Sequence, residues 1–553
     1  MSVVYIALMI GGLIFFHELG HYLVARWMGV HVVEFSIGFG PRVFNFKQKQ
    51  TRATLPPTEW SIALLPVGGF VKMLGADPME DVPAEIRDVA LNFKPVWRRF
   101  LIALAGPLFN LILPFIIFFF VGLGTSTAPS SVMGDVNPGG PAWAAGIRPG
   151  DRITAVGGEE VRTWGEFSGA VQEYPDKDVE IRWDRLGEAK SAIVHPVAET
   201  RDIIPNVMTE TQGRVGVTNS FGLSILHIEP GSPAEKAGLR DLDAVVTVNG
   251  QRERYLYRVL GLIEASPEQP ITLGVLSFAE RSVGGVGVAL ATPRTITLPP
   301  AVGGDPLRGI RSGACVVSRV SPRSPAAKAG LRTGDRITSY DGWECASWLF
   351  AANYLEERRG KAVKLTWERG GEQLAGELAA AQVPWPAPLQ PDRKVYFTGL
   401  DVVLGSELPD DVEIDDRFGF AVGYMADRSF GAMIGTLAVL GGLFSGKVSI
   451  KDGLAGPAMI MRLTADAAEQ GAEQFFKLMA MLSVSLGLIN LLPIPVLDGG
   501  QILFLAIEGV RRKPVSMRLR MVATYIGLAF IVVLMVVVLR NDIDRCAGII
   551  GLW

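Results

Sequence analysis

VVYIALMIGGLIFFHELGHYLVARWM, residues 3–28, is the stretch on which the reading of this chain turns. Val3–Phe16 carries no charge, and the apolar pattern resumes after His21 as far as Met28. No basic segment precedes the run, no small-residue cleavage site follows it, and charges lie in its second half. It therefore reads as a retained membrane helix rather than a signal peptide. Within it stands His17-Glu18-Leu19-Gly20-His21. On a helix, positions i and i+4 share a face, so both imidazoles reach one zinc ion. Glu18, at the edge of that face, is placed to deprotonate a zinc-bound water. A solvated helix face would also accept these residues, but ionisable groups are costly inside a membrane span and mark function there.

Three further runs have the same character. Phe100–Gly124 is uncharged and long enough for the ~30 Å hydrocarbon core. Leu478–Ile507 contains a single charged residue, Asp498, and Met521–Leu539 contains none. The chain of 553 residues is 49% hydrophobic and only 20% charged, below the share of about a quarter usual for soluble domains. The apolar excess sits at the two ends, and the middle reads as water-soluble. A net charge of −3 gives no indication of a nucleic-acid partner. Lys94, Arg98 and Arg99 precede the second span, and Arg511, Arg512, Lys513, Arg518 and Arg520 fill the turn after the third. By the positive-inside rule both clusters are expected in the cytoplasm, with the N-terminus, the middle and the C-terminus opposite. Ser429–Gly446 is uncharged too, but a span there would put the Arg511 cluster outside. It is expected to lie in or against the membrane surface.

The middle repeats itself. Pro141-Ala142, Pro233-Ala234 and Pro325-Ala326 lie 92 residues apart, each followed by Ala-Gly and an apolar residue, then by Asp151, Asp243 or Asp335. A fixed period of this kind means three copies of one domain. The pattern resembles the bacterial PDZ domain, which binds extended chains or chain ends by strand addition. Phe221-Gly222-Leu223 looks like the loop that receives a terminal carboxylate, and the second copy has Leu242 where the others have a turn glycine. Domains that only space or occlude fit the same pattern. Cys315 and Cys345 lie in this region and can pair if it faces an oxidising compartment; the plainer reading is two small buried hydrophobes.

Two histidines leave zinc short of the three protein ligands usual in catalytic sites. The lone charge of the third span, Asp498, is the candidate third ligand. His17 lies about 14 residues into its span and Asp498 about 20 from Lys477, so at 1.5 Å per residue both fall in the cytoplasmic half. Asn490-Leu-Leu-Pro493-Ile-Pro495-Val-Leu-Asp498-Gly499-Gly500 puts two prolines and two glycines into this span. The helix should break there, and irregular backbone at membrane depth is tolerated where it is buried or lines a watery cavity.

HExxH in the first span with NxxPxPxxDG in a later one resembles the site-2 protease family, and further segments resemble its bacterial regulator-of-sigma-E protease group. These are Pro66–Met73 as a membrane-reentrant β-hairpin, Gly106-Pro107-Leu108-Phe109-Asn110 in the second helix and Leu454–Ile460 before the third span. The resemblance implies regulated intramembrane proteolysis by a zinc endopeptidase in the bacterial inner membrane. Its substrate would be an anti-sigma-factor-like single-pass protein, first trimmed outside by a site-1-type protease. His17, His21 and Asp498 would bind zinc, Glu18 would be the base, and Asn490 would hydrogen-bond the substrate backbone. Gly68, Gly69, Phe70 and Val71 would pair with the unwound substrate. Three PDZ-like copies stand where one or two are expected.

The expected fold is a polytopic α-helical membrane core of four transmembrane helices, with a membrane-associated β-element and an inserted array of PDZ-like α+β domains. The boundaries are 1–29 for the first helix, 30–99 for a cytoplasmic-side β-rich element and 100–124 for the second helix. The PDZ-like copies fall at 125–204, 205–300 and 301–404, a membrane-surface amphipathic region at 405–474, and the last two helices at 475–509 and 519–540. A dead scaffold that only displays PDZ domains is disfavoured by the intact HExxH and Asp498. A zinc transporter is disfavoured by the lack of inverted repeats among the spans.

Overall fold

The computed structural model describes residues 2–48, 55–77, 80–204, 207–222, 224–253, 255–283, 286–301, 303–313, 315–345, 348–384, 394–402, 406–407, 410–448 and 456–550. The chain divides into two compact units, Met1–Ser126 with Asp202–Thr209 and Ile414–Trp553, and Thr127–Arg201 with Glu210–Glu413.

The first unit holds α1 (Ser2–Trp27), strands β1 (Val32–Lys47) and β2 (Glu59–Met73), and α2 (Val96–Gly124). After the second unit come α3 (Arg417–Phe444), α4 (Pro457–Glu469), α5 (Ala472–Asn490), α6 (Asp498–Arg511) and α7 (Met517–Ile550). Among the described residues four stretches are long and apolar enough to cross a membrane: Val4–Trp27, Val96–Gly124, Ala472–Asn490 and Met517–Arg540. Met9 and Leu13 of α1, Leu113 and Ile117 of α2 and Phe475 and Met479 of α5 form one buried cluster between them.

The third span is broken, as its prolines and glycines require. Helix stops at Asn490 and resumes at Asp498. Side chains at Gly499 and Gly500 would collide with the backbone of Leu491, Leu492, Ile494 and Pro495, so the loop folds back tightly on the first turn of α6. A second proline effect is repaired in trans. Pro114 has no N–H for the carbonyl of Asn110, and Ser483 of α5 donates its hydroxyl to that carbonyl at 2.7 Å.

Ser429–Gly446 falls within α3 and the turn after it. The helix packs along α2 through Phe430 against Phe115, Tyr424 against Phe118 and Phe418 against Phe119, with ring centroids 5.4, 6.1 and 5.8 Å apart. Phe430, Ile434, Leu437 and Phe444 remain exposed. The Gly456-Pro457 pair opens α4, where the buried Asp542 at the end of α7 accepts from the Ala458 N–H at 2.9 Å. A side chain at Gly456 would occupy the place of that carboxylate. Leu454 and Ala455 lie outside the described residues.

In the second unit the period of 92 recurs element by element. Helices begin at Pro141, Pro233 and Pro325, strands at Arg152, Ala244 and Arg336, and longer helices at Trp164, Leu256 and Trp348. Hairpins beginning at Val179, Ile271 and Val363 complete three four-stranded sheets of one connectivity. Each copy buries its own aliphatic core and the aspartate that follows its short helix, 1% exposed in every case. Asp151, Asp243 and Asp335 accept from the backbone N–H of Arg148, Arg240 and Arg332 at 2.8, 2.9 and 2.7 Å. Arg185 and Arg369 each bind their aspartate through two hydrogen bonds of 2.7 Å, and each also reaches the carbonyl of Gly146 or Gly330. In the second copy Ser277 stands where these arginines are, and Arg294 supplies the guanidinium from the facing strand. Arg294 makes the same contact with the Gly238 carbonyl. Leu242 adopts the left-handed conformation of Gly150 and Gly334, with φ of 65° against 86° and 89°. Cys315 and Cys345 are joined as a disulfide across 30 residues, inside the core of the third copy.

A bidentate pair with one partner buried is costly to break, about 3 kcal/mol or more. An exposed pair is worth under about 1 kcal/mol. Asp335→Ala is therefore expected to unfold the third copy at markedly lower temperature, read by heat-dependent proteolysis between residues 315 and 402. Asp401→Ala, which removes only the exposed pair with Arg319, should leave that temperature nearly unchanged.

Candidate active site

His17 and His21 lie on one face of α1, and Asp498 is the first residue of α6. The break in the third span turns α6 so that its carboxylate reaches them. His17 Nε2 is 3.1 Å from Asp498 Oδ2 and His21 Nε2 is 3.6 Å from Oδ1. All three donor atoms lie within 4.8 Å of one another, the one such cluster among the described residues.

The imidazoles are oriented from behind. His21 Nδ1 lies 2.8 Å from the carbonyl of Ile102. A proton on Nδ1 is donated there, and the Nε2 lone pair is left facing the carboxylate, the tautomer a metal ligand needs. His17 Nδ1 lies 3.1 Å from the carboxamide of Asn110, a side chain with no exposed surface. Two imidazoles and a carboxylate, converging and held by outer partners, fit a catalytic zinc ion with an open position.

Two glycines bring α1 and α2 together at this level. A side chain at Gly20 would meet the Ala105 carbonyl and the Phe109 ring, and one at Gly106 would lie 2.8 Å from His17 Nε2 and against His21. The Gly-Pro-x-x-Asn segment of α2 thus supplies both clearance and a partner for His17. In the sequence this segment is only a likeness to a family motif, since nothing local says that Gly106 and Asn110 face the histidines.

The β-element runs beside Glu18. Glu34–Ile37 pairs on one side with Gly69–Lys72 and on the other with Glu59–Ile62, while Arg42–Lys47 pairs with Glu59–Ala63. Gly69–Lys72 is therefore an edge with no further strand on it among the described residues. Gly69 passes so close to α1 that a side chain there would lie 3.2 Å from Glu18 Cγ. Gly68 has φ of 89°, and Phe70 stacks on Phe39 at 6.2 Å. Val71 pairs with Phe35. Asn490 ends α5, and its carboxamide has no hydrogen-bond partner among the described residues. The chain-end loop candidate lies elsewhere: Phe221 and Gly222 pair with Glu407 and Ser406, and Leu223 is outside the described residues.

Paired histidines on a membrane helix, a carboxylate from a broken span and a glutamate beside an open strand edge define a membrane metallopeptidase. The chain belongs to peptidase family M50, whose model matches residues 5–534. It is 29% identical to the regulator of sigma-E protease RseP of Escherichia coli and 30% identical to protease RseP of Yersinia pestis, each over 97% of both chains. A Neisseria meningitidis protein whose name assigns it as a zinc metalloprotease is 29% identical over 97% of both. The protein is a zinc metalloprotease.

Asp498→Ala is expected to strip zinc from the purified protein while the helix content stays the same, measured by elemental analysis and circular dichroism. Full zinc in this variant would remove Asp498 from the ligand set. Gly106→Ala pushes a methyl group between the imidazoles and should weaken zinc retention against a chelator by roughly tenfold or more.

Proposed function

We propose that the protein is an intramembrane endopeptidase that cuts the transmembrane segment of a single-pass protein. The observation that carries this is the meeting of a metal-capable triad, a glutamate and an open strand edge, with both histidines and the glutamate on a helix long and apolar enough to cross a membrane. His17, His21 and Asp498 hold zinc, which when bound supplies carbonyl polarisation and a more acidic water. Glu18 takes the proton of the attacking water and returns it to the leaving amine nitrogen. A substrate helix must unwind before its peptide bond can be reached. The edge at Gly68–Val71 offers backbone partners to the unwound stretch, and the carboxamide of Asn490, without a partner among the described residues, is available to hydrogen-bond its backbone. Unpaired backbone would otherwise cost several kcal/mol in lipid.

The basic clusters support an orientation with Arg99 and Lys513 in the cytoplasm and the three repeats outside, in a bacterial inner membrane. The Cys315–Cys345 disulfide supports that side, because such bonds persist in oxidising compartments. The names of the relatives as regulators of sigma-E favour a substrate of the anti-sigma-factor kind; its prior trimming by a site-1-type protease is what the family resemblance implies. The recurrent architecture of the repeats supports PDZ-like domains. Trp164 and Phe167 of the first copy and Trp343 and Tyr354 of the third line a shared cavity of about 1080 Å³. We assign the array the role of a filter that holds back substrates with an intact outer domain.

Glu18→Gln keeps size and hydrogen bonding but removes the base, so cleavage of a reporter substrate should cease while zinc stays bound. Residual cleavage would rule Glu18 out as the base. Pro129 pairs with Asp411, so a deletion of residues 130–410 joins two points already held together. That deletion should keep cleavage of trimmed substrate and gain cleavage of untrimmed substrate. A truncated protein that binds zinc but cuts neither would defeat the filter.

Reporter fusions after Arg99 and after Lys513 are expected to read cytoplasmic, and fusions within the repeats external. An external signal after Lys513 would make α3 a fifth span.

A further inference from the structure

The basic end of the helix bundle contains more cations than the fold uses. Glu508 of α6, 7% exposed, is met by Arg99 of α2 at 2.6 Å and by Arg520 of α7 at 3.5 Å. Arg98 lies over the Trp97 ring and donates to the Met28 carbonyl. Arg511, Arg512, Lys513 and Arg518 are exposed, and among the described residues none has a carboxylate at ion-pair distance. Beside them, between the first turn of α2 and the last turns of α6, lies a groove of about 570 Å³. Val96, Trp97, Phe100 and Leu505 give it an apolar lining, and Gly509, Glu508 and Arg512 are also part of its wall.

Arg512 is itself unusual. It follows α6 with φ of 53° and ψ of 22°, the left-handed position that ends helices and that glycine fills without strain. The strain is borne by a residue that lines an apolar groove and whose guanidinium has no partner among the described residues. Trp97, 55% exposed, stands at the same level, the place where tryptophan marks the boundary between hydrocarbon and headgroups.

We infer that this groove is a binding site for one anionic phospholipid. Its phosphate would sit on Arg512 and one acyl chain along Val96, Phe100 and Leu505. The charge matches: Glu508 is already neutralised by two arginines, and the unpaired cations attract an anionic headgroup. Occupancy would brace the far end of α6, the helix whose first residue is Asp498. The inference rests on the proposed orientation only for which leaflet supplies the lipid.

Native mass spectrometry of the delipidated, zinc-loaded full chain tests it, with phosphatidylglycerol and phosphatidylcholine of matched chains added in turn. Phosphatidylglycerol should be retained several-fold better. Arg512→Gly suits the backbone and removes the cation, so it should bring phosphatidylglycerol down to the level of phosphatidylcholine. Gly509→Leu would extend from a position 3.8 Å from Val96 Cγ1 and should reduce retention of both lipids. Lys513→Gln should change little. Equal retention of the two lipids by the unaltered chain, or undiminished phosphatidylglycerol on Arg512→Gly, would overturn the inference. Undiminished phosphatidylglycerol on Gly509→Leu would overturn it too, by showing an anion site without an acyl chain. No readout here is proteolysis, so failure would leave the catalytic assignment standing.

Discussion

Two imidazoles and two carboxyl groups are held inside a hydrophobic bundle, and much of the membrane unit is organised around keeping them there. Each is expensive to take out of water alone. The structure gathers them so that they face one another: His17 and His21 from α1, Asp498 from α6, Glu18 at the margin. Convergence requires three elements to approach more closely than ordinary side chains allow. Gly20 and Gly106 let α1 and α2 touch, while Gly499 and Gly500 let the loop after Asn490 fold onto α6. In membranes, where hydrophobic driving force between helices is absent, such small-residue contacts are a principal source of packing.

Prolines, helix ends and buried imidazoles leave polar groups to satisfy, and the bundle does this in trans. Ser483 serves the carbonyl that Pro114 orphans, Ile102 supplies the carbonyl that orients His21, and Asp542 caps α4 from the end of α7. The edge of the β-element at Gly69–Lys72 is the exception, an unpaired strand edge beside Glu18. Open edges are normally a liability. Next to a hydrolytic centre, an edge is what an unwound peptide requires, and this connects the architecture to the proposed cleavage.

The second unit follows different physics. Its three copies each have their own aliphatic core, and each is tied by a buried aspartate to a guanidinium. The second copy shows what is constrained. Ser277 replaces the arginine, Arg294 reaches in from the neighbouring strand, and the carbonyl contact to Gly238 is preserved. What the fold requires is a cation at that point in space, not an arginine at a given position in the chain.

The sequence by itself determined what depends on neighbours along the chain. The i, i+4 spacing of His17 and His21, the isolation of Asp498 in an apolar run, the proline-glycine break after Asn490 and the 92-residue period are all local or periodic signals. They sufficed for the four apolar spans, the three copies and the metal-capable residues. Tertiary structure decided what depends on residues far apart meeting: that Gly106 and Asn110 face the histidines, and that Gly69–Lys72 is an edge. It also decided that α3 packs along α2 and that Cys315 bonds to Cys345. In Arg294 it found the stand-in for an arginine that the repeat pattern shows only as missing. Backbone propensity and hydrophobic period fix an element where it stands. The partner of a glycine, an unpaired carbonyl or a buried carboxylate is fixed only when the chain closes on itself.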